Sequence, residues 1–146
     1  MTKGGLQRGY HCVWQIHYHI VFPVKYRKVL LDNTVVKVIE ETTTGIQERY
    51  EIEMEALGMD SNHIHVLCSA HPKLAPGEIV RIFKSIMARE VFRRYPKIKR
   101  ELWGGEFWTD GYYVGTVGEK ANWTTVEEYV QKQGRPKEDL RQLRLF

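Results

Sequence analysis

Apolar and polar positions alternate strictly over residues 12–22, CVWQIHYHIVF. Trp14, Ile16, Tyr18, Ile20 and Phe22 share one face, and Gln15, His17 and His19 share the other. A period of two over this length predicts a half-buried strand, which Pro23 ends or places at an edge. The period then changes. Val35, Val38, Ile39, Ile46 and Tyr50 recur at helical spacing and predict a helix over 34–50, with Asp32 or Asn33 as its cap. Thr42, Thr43 and Thr44 weaken it, because β-branched side chains lose rotamer freedom in a helix. Alternation returns in YEIEMEALGM, with Ile52, Met54 and Ala56 on one face, and continues in HIHVLCSA. The turn-like MDSN between them makes the two runs a hairpin.

Pro72 and Pro76 punctuate a loop, and a long amphipathic helix follows from Pro76 or Gly77 to about Tyr95. Its apolar stripe is Ile79, Phe83, Ile86, Met87 and Val91, and Arg81, Ser85, Arg89 and Arg93 recur every fourth residue on a polar flank. Residues 103–118, WGGEFWTDGYYVGTVG, read as a strand or hairpin with bends. Thr124 and Glu127 form a capping-box pattern, and Gly134 and Pro136 are stop signals. The helix so bounded has about three turns and is marginal in isolation, so it must dock on this chain or another.

Strand, helix, strand, strand, helix, strand and a short helix is the order of an α+β, ferredoxin-like (RRM-like) plait. Its helices cover one face of an antiparallel sheet and leave the other for a ligand or partner. The 146 residues suit a single domain, 1–146, with a core over about 12–118, the short helix at 124–134 and a basic tail at 135–146. No apolar run approaches the roughly 20 residues that cross a bilayer, and the N-terminus has no apolar leader. A cytoplasmic protein is expected. Cys12 and Cys68 are too few for a disulfide framework. Cys68 with His71 is spaced like half of a zinc site but lacks the tight pairs that a tetrahedral site needs.

The net charge of +4 biases the chain mildly toward polyanions. Lys84, Arg89, Arg93, Arg94, Lys97, Lys99 and Arg100 form one basic group, interrupted by Glu90. Lys132, Arg135, Lys137, Arg141 and Arg144 form another. Within the apolar run at 60–70, His63 and His65 project to the same strand face while Ile64 and Val66 point to the core. Two neutral imidazoles on one face can chelate a divalent ion, although two strand histidines can equally be polar-face residues. Tyr129 and Gln133, four residues apart, share a helix face. A phenol with a pKa near 10 is a weak nucleophile at neutral pH unless its target is polarised. Two imidazoles and an amide oxygen suit Mg²⁺ or Mn²⁺ better than a closed zinc site. A docking role for Tyr129 beside Val126 and Val130 fits the spacing as well.

Five segments occur in one order: YHIVFPVKYRKVLL (18–31), NHIHVLCSAHP (62–72), FKSIMAREVFRRYP (83–96), WGGEFWTDGYYVGTVG (103–118) and YVQKQG (129–134). Together they resemble the one-tyrosine HUH transposases of the smallest bacterial and archaeal insertion sequences, the TnpA-type, IS200-like single-strand transposases. The resemblance implies a ferredoxin-like fold with the HUH pair on a central strand, Ile64 being its hydrophobic middle residue. It implies that His63, His65 and Gln133 hold Mg²⁺ or Mn²⁺ and that Tyr129 is the nucleophile. Tyr129 is implied to attack single-stranded DNA near hairpin ends, forming a 5′-phosphotyrosine link and a free 3′-hydroxyl for rejoining. It also implies a homodimer in which the tyrosine helix of one subunit completes the metal site of the other. Lys84, Arg89 and Arg93 are candidate phosphate contacts. Where the family often has an acid directly before the first histidine, this chain has Asn62. Lys25-Tyr26-Arg27 matches a family tripeptide, with a structural or a DNA-contact role equally open. Three alternatives share some of these features: a domesticated hairpin-DNA nicking or binding protein, a plait-type RNA-binding module without catalysis, and a metal hydrolase in which Tyr129 only packs.

Overall fold

The computed structural model describes residues 6–103 and 105–117. Tyr129, Gln133, the helix expected at 124–134 and the basic tail lie outside the described residues. An N-terminal hairpin comes first, with β1 (Gln7–Gly9) antiparallel to β2 (Cys12–Trp14). The plait follows: β3 (Tyr18–Pro23), a 3₁₀ turn (Lys25–Arg27), α1 (Asn33–Arg49), β4 (Ile52–Met59), β5 (His63–Ala70), α2 (Pro76–Arg94), α3 (Pro96–Glu101) and β6 (Tyr113–Thr116). The sheet order β4-β5-β3-β6, antiparallel throughout, is that of the ferredoxin-like plait.

The main core lies between one sheet face and the two long helices. Ile20, Phe22, Ile64, Val66, Cys68 and Ala70 of the sheet meet Val35, Val38, Ile39 and Ile46 of α1 and Ile79, Phe83, Met87 and Val91 of α2. Asp32 starts α1 by accepting from the backbone N–H groups of Thr34 (3.1 Å) and Val35 (3.0 Å). The threonine run does not break α1. Thr42 donates its hydroxyl to Val38 O (2.7 Å) and Thr43 to Glu40 O (2.6 Å), so both stay inside the helical hydrogen-bond scheme. Pro76 opens α2 where its missing N–H costs nothing, and Ala75 donates its N–H to Glu78 Oε1 (3.1 Å).

Three departures from the sequence expectation have identifiable causes. The alternating run 12–22 is two strands: Cys12–Trp14 pairs with Gln7–Gly9, whereas Tyr18–Pro23 enters the main sheet. Where the run divides, Trp14 at the end of β2 sets its ring at a tilt against His71 (4.6 Å), and His17 turns to Glu55 (2.9 Å). Next, β4 carries a bulge between Met54 and Ala56, with Glu55 the extra residue. A bulge inverts the alternation beyond it. Ala56 therefore leaves the face shared by Ile52 and Met54 and packs with Leu67 and Val117 on the opposite side. Finally, the sheet face away from the helices is not open along its centre. All eight residues of β5 are buried: Ile64, Val66, Cys68 and Ala70 in the core under the helices, and Leu67 against Ala56 and Val117 on the other face.

Candidate functional site

β5 lies between β4 and β3, the most constrained position in the sheet. Its alternation sends Ile64 and Val66 to the helices and His63 and His65 to the opposite face. The two imidazole rings are 5.0 Å apart between centroids, at 62° to each other. Each is held through Nδ1. His63 Nδ1 lies 2.9 Å from Asn62 Oδ1. An amide oxygen only accepts, so Nδ1 carries the proton and the lone pair is on Nε2. Asn62 thus gives His63 the orienting acceptor that a carboxylate in its place would give. His65 Nδ1 lies 3.1 Å from His19 Nε2, and the two rings stack at 5.3 Å and 25°.

His19 is a residue of this site that the sequence did not single out. The alternation of β3 had placed it on the polar face, but only the register, with Val21 opposite His65, brings its ring to His65. Tyr113 of β6 sets its ring edge-on to His19 (5.9 Å). Gly115, which pairs with His19, makes room for it: a Cβ there would collide with the Tyr113 phenol oxygen and come within 2.9 Å of its Cζ. Burial, with smaller contributions from His63 and His19, pulls the pKa of His65 down to about 2. Burial alone pulls His19 down to about 4. Both rings are therefore neutral at pH 7, the form that binds metal.

The donor set can accept a divalent cation. Two neutral imidazoles share a face, and a hydrogen bond donated from Nδ1 would leave Nε2 of each as the atom able to coordinate. For His65 this requires Nδ1–H to donate to His19 Nε2. Among the described residues no group of three His, Cys, Asp or Glu is arranged to hold a metal. Cys68 and His71 are not brought together as a zinc pair. Cys68 is buried in the helix-side core, where burial and then Glu55 push its thiol pKa far up. His71 lies instead with Trp14 and with Cys12 Sγ (3.9 Å).

The three cationic candidates on α2 sit on the helix side of the sheet and do not form one patch. Lys84 donates Nζ–H to Thr109 O (2.6 Å) and Gly111 O (3.1 Å), tying α2 to the loop before β6. It lines a cleft of about 580 Å³ with Val80, Phe92, Phe107 and Trp108. Arg93 is paired with Glu90 (2.6 Å), and Arg89 lies on another groove with Glu41 and Arg94.

With this geometry in place, the likeness to known proteins is specific. The family model described as transposase IS200 like matches residues 12–133. The ISDra2 transposase TnpA of Deinococcus radiodurans is 33% identical over 133 residues, 91% of each chain. This chain belongs to the IS200-like transposase family. It is a transposase, with an α+β fold of that family. The transposase for insertion sequence element IS200 of Salmonella typhimurium is 26% identical over 123 residues, 84% of this chain and 80% of its own. A crystal structure of a Deinococcus radiodurans R1 protein assigned as a transposase superposes with a TM-score of 0.70 at 27% identity, covering 85% of this chain and 95% of that one. The REP-associated tyrosine transposase bound to a REP hairpin shares the fold, with a TM-score of 0.60 at 10% identity over 84% of this chain and 68% of its own. No helix among the described residues is long and apolar enough to cross a membrane.

Proposed function

We propose that this transposase cuts and rejoins single-stranded DNA at the hairpin-bearing ends of an insertion sequence, using Tyr129 as nucleophile. The observation that carries this is the paired imidazoles of His63 and His65 on the central strand, each oriented through Nδ1. Gln133, four residues beyond Tyr129 in the sequence, supplies the third protein ligand through its amide oxygen. Mg²⁺ or Mn²⁺ held by these three residues would supply Lewis-acid polarisation of the scissile phosphate.

Tyr129 Oη attacks phosphorus in line, and the P–O3′ bond breaks. The phenol proton is lost to solvent or a base, and the departing 3′-oxygen takes one up as the 3′-hydroxyl. The 5′-phosphate remains esterified to tyrosine, and the phosphate-ester bond energy is kept in that linkage. A 3′-hydroxyl then attacks the same phosphorus, the P–O bond to tyrosine breaks, and the strand is rejoined. No nucleotide cofactor is consumed. Asn62 and His19 hold His63 and His65 in the coordinating tautomers throughout. The protein works in the cytoplasm as a homodimer, whose partner copy would offer a docking surface to the short helix expected at 124–134. Lys84, Arg89 and Arg93 are proposed phosphate contacts for the hairpin on the helix side, Lys84 through whatever donor capacity its two backbone bonds leave.

The test is incubation of the full-length protein with single-stranded element ends and Mn²⁺ or Mg²⁺, followed by denaturing gel electrophoresis. A denaturation-resistant protein–DNA adduct is expected, and Tyr129→Phe should abolish it while leaving DNA binding within about twofold. Cleavage that survives Tyr129→Phe would refute the tyrosine as nucleophile and leave a metal hydrolase.

A further inference from the structure

Three non-glycine residues among those described have positive φ, and two of them meet: Tyr26 (φ 59°) and Trp103 (φ 53°). Tyr26 is 63% exposed and Trp103 76% exposed, with their rings edge-to-face at 5.7 Å. A left-handed backbone is unfavourable for a residue with a Cβ, and more so for a bulky one. Trp103 takes this conformation just past the end of α3, where glycine is the favoured residue. Its neighbour Leu102 is buried and fixes the turn, with Gly105 donating its N–H to Leu102 O (2.8 Å). Burial of the indole does not offset the strained backbone.

Each ring has a lysine beside it. Lys28 Nζ sits 4.9 Å from the Trp103 ring centroid, and Lys25 Nζ sits 5.7 Å from that of Tyr26. α3 carries exposed Lys97 and Arg100 against one carboxylate, Glu101, while Lys99 turns its ammonium to Phe92. The cluster also lies at the histidine end of the sheet. Pro23 is the register partner of His63, Val24 donates its N–H to Asn62 O (2.8 Å), and Lys25 follows directly. Exposed aromatic faces beside lysines match the chemistry of unpaired bases on a phosphate backbone.

We infer that Tyr26 and Trp103 form a base-stacking platform for single-stranded DNA running off the histidine site, with Lys25 and Lys28 neutralising its phosphates. This rests on the proposed single-strand chemistry but makes a claim that does not require cleavage. The full-length protein is titrated with a fluorescently labelled 15-nucleotide oligothymidylate and with a 15-base-pair duplex, without divalent metal. Trp103→Ala and Tyr26→Ala should each weaken oligothymidylate binding about 5- to 150-fold, the range of a lost base stack. Duplex binding should change less than threefold. Lys25→Ala/Lys28→Ala should flatten the slope of log K against log salt by about 1.4, whereas the aromatic changes should leave that slope alone. Oligothymidylate affinity within twofold of the parent in Trp103→Ala would overturn the platform, even if the Tyr129 adduct still forms. A monomer–dimer constant that shifts in Trp103→Ala, with DNA affinity intact, would assign the patch to a protein interface and overturn it equally. Conversely, lost stacking with no Tyr129-dependent adduct in the parent would uphold the platform and sink the cleavage mechanism.

Discussion

Replacing His19 tests the candidate metal centre at a residue that does not itself coordinate. In the structure its Nε2 lies 3.1 Å from His65 Nδ1. Both rings are neutral at pH 7, because burial holds His19 down to about 4 and burial, His63 and His19 hold His65 down to about 2. Each ring therefore carries one N–H, and coordination through His65 Nε2 requires that proton on Nδ1, donated to residue 19. A neutral hydrogen bond contributes about 0.5–1.5 kcal/mol net, or about 2- to 12-fold in an equilibrium constant. Loss of an orienting partner behind a metal-bound histidine typically costs about 10–100-fold. The two ranges meet near tenfold, which is the loss of Mn²⁺ affinity expected for His19→Ala. His19→Gln can accept through its amide oxygen and should recover most of it. His19→Lys can only donate; it forces the proton of His65 onto Nε2 and should weaken binding beyond the alanine variant. The assay is electron paramagnetic resonance of free Mn²⁺ during titration of the full-length protein at pH 7.5, with thermal melts to confirm folding. An alanine variant within twofold of the parent, or a glutamine variant no better than alanine, would refute the tautomer reasoning.

Asn62→Ala should lower Mn²⁺ affinity about 10–100-fold by releasing His63 Nδ1, while Asn62→Asp should hold or raise it; the same resonance titration checks both. Asp32→Ala should cost α1 about 1 kcal/mol, read as a lower urea midpoint at pH 7. The backbone N–H of Val35 and the Thr34 hydroxyl hold the Asp32 carboxyl below its ordinary range. The native pKa is thus below the unfolded one, so the stabilisation is complete above about pH 4 and fades as pH falls through the native value. The parent–variant gap should therefore narrow at pH 3, and a gap that widens would contradict the cap. Trp103→Gly relieves a left-handed backbone by about 1–2 kcal/mol, gives part of that back as chain entropy, and loses the Lys28 contact; the net change in urea unfolding should stay within about 1 kcal/mol. A loss above about 3 kcal/mol would mark Trp103 as a core residue instead.

The parts of this molecule that were legible in the sequence are those whose signal is local. The hairpin around His63 and His65 was visible because alternation and a polar turn suffice to specify two adjacent strands. The long helices were visible because each buries one stripe, and the threonines of α1 did not matter once their hydroxyls bonded back to Val38 and Glu40. What stayed hidden depends on register between segments far apart in the chain. His19 and His65 are 46 residues apart, and nothing local to either shows that their rings will stack. The Glu55 bulge is hidden for the same reason. A glutamate in an alternating run reads as solvent-facing, yet here it is buried 2.9 Å from His17, and that pairing fixes which way Ala56 and all later residues of β4 face. Tyr26 and Trp103 were hidden for a different reason: a left-handed backbone at a tyrosine or a tryptophan has no sequence signature, since glycine or asparagine is the expected occupant. The sequence thus located the candidate histidine pair, and the fold supplied the residues that contact it and the exposed rings near that end of the sheet. Function in this transposase is therefore tested most sharply at His19, Asn62 and Trp103, where local patterning was silent and long-range geometry decides.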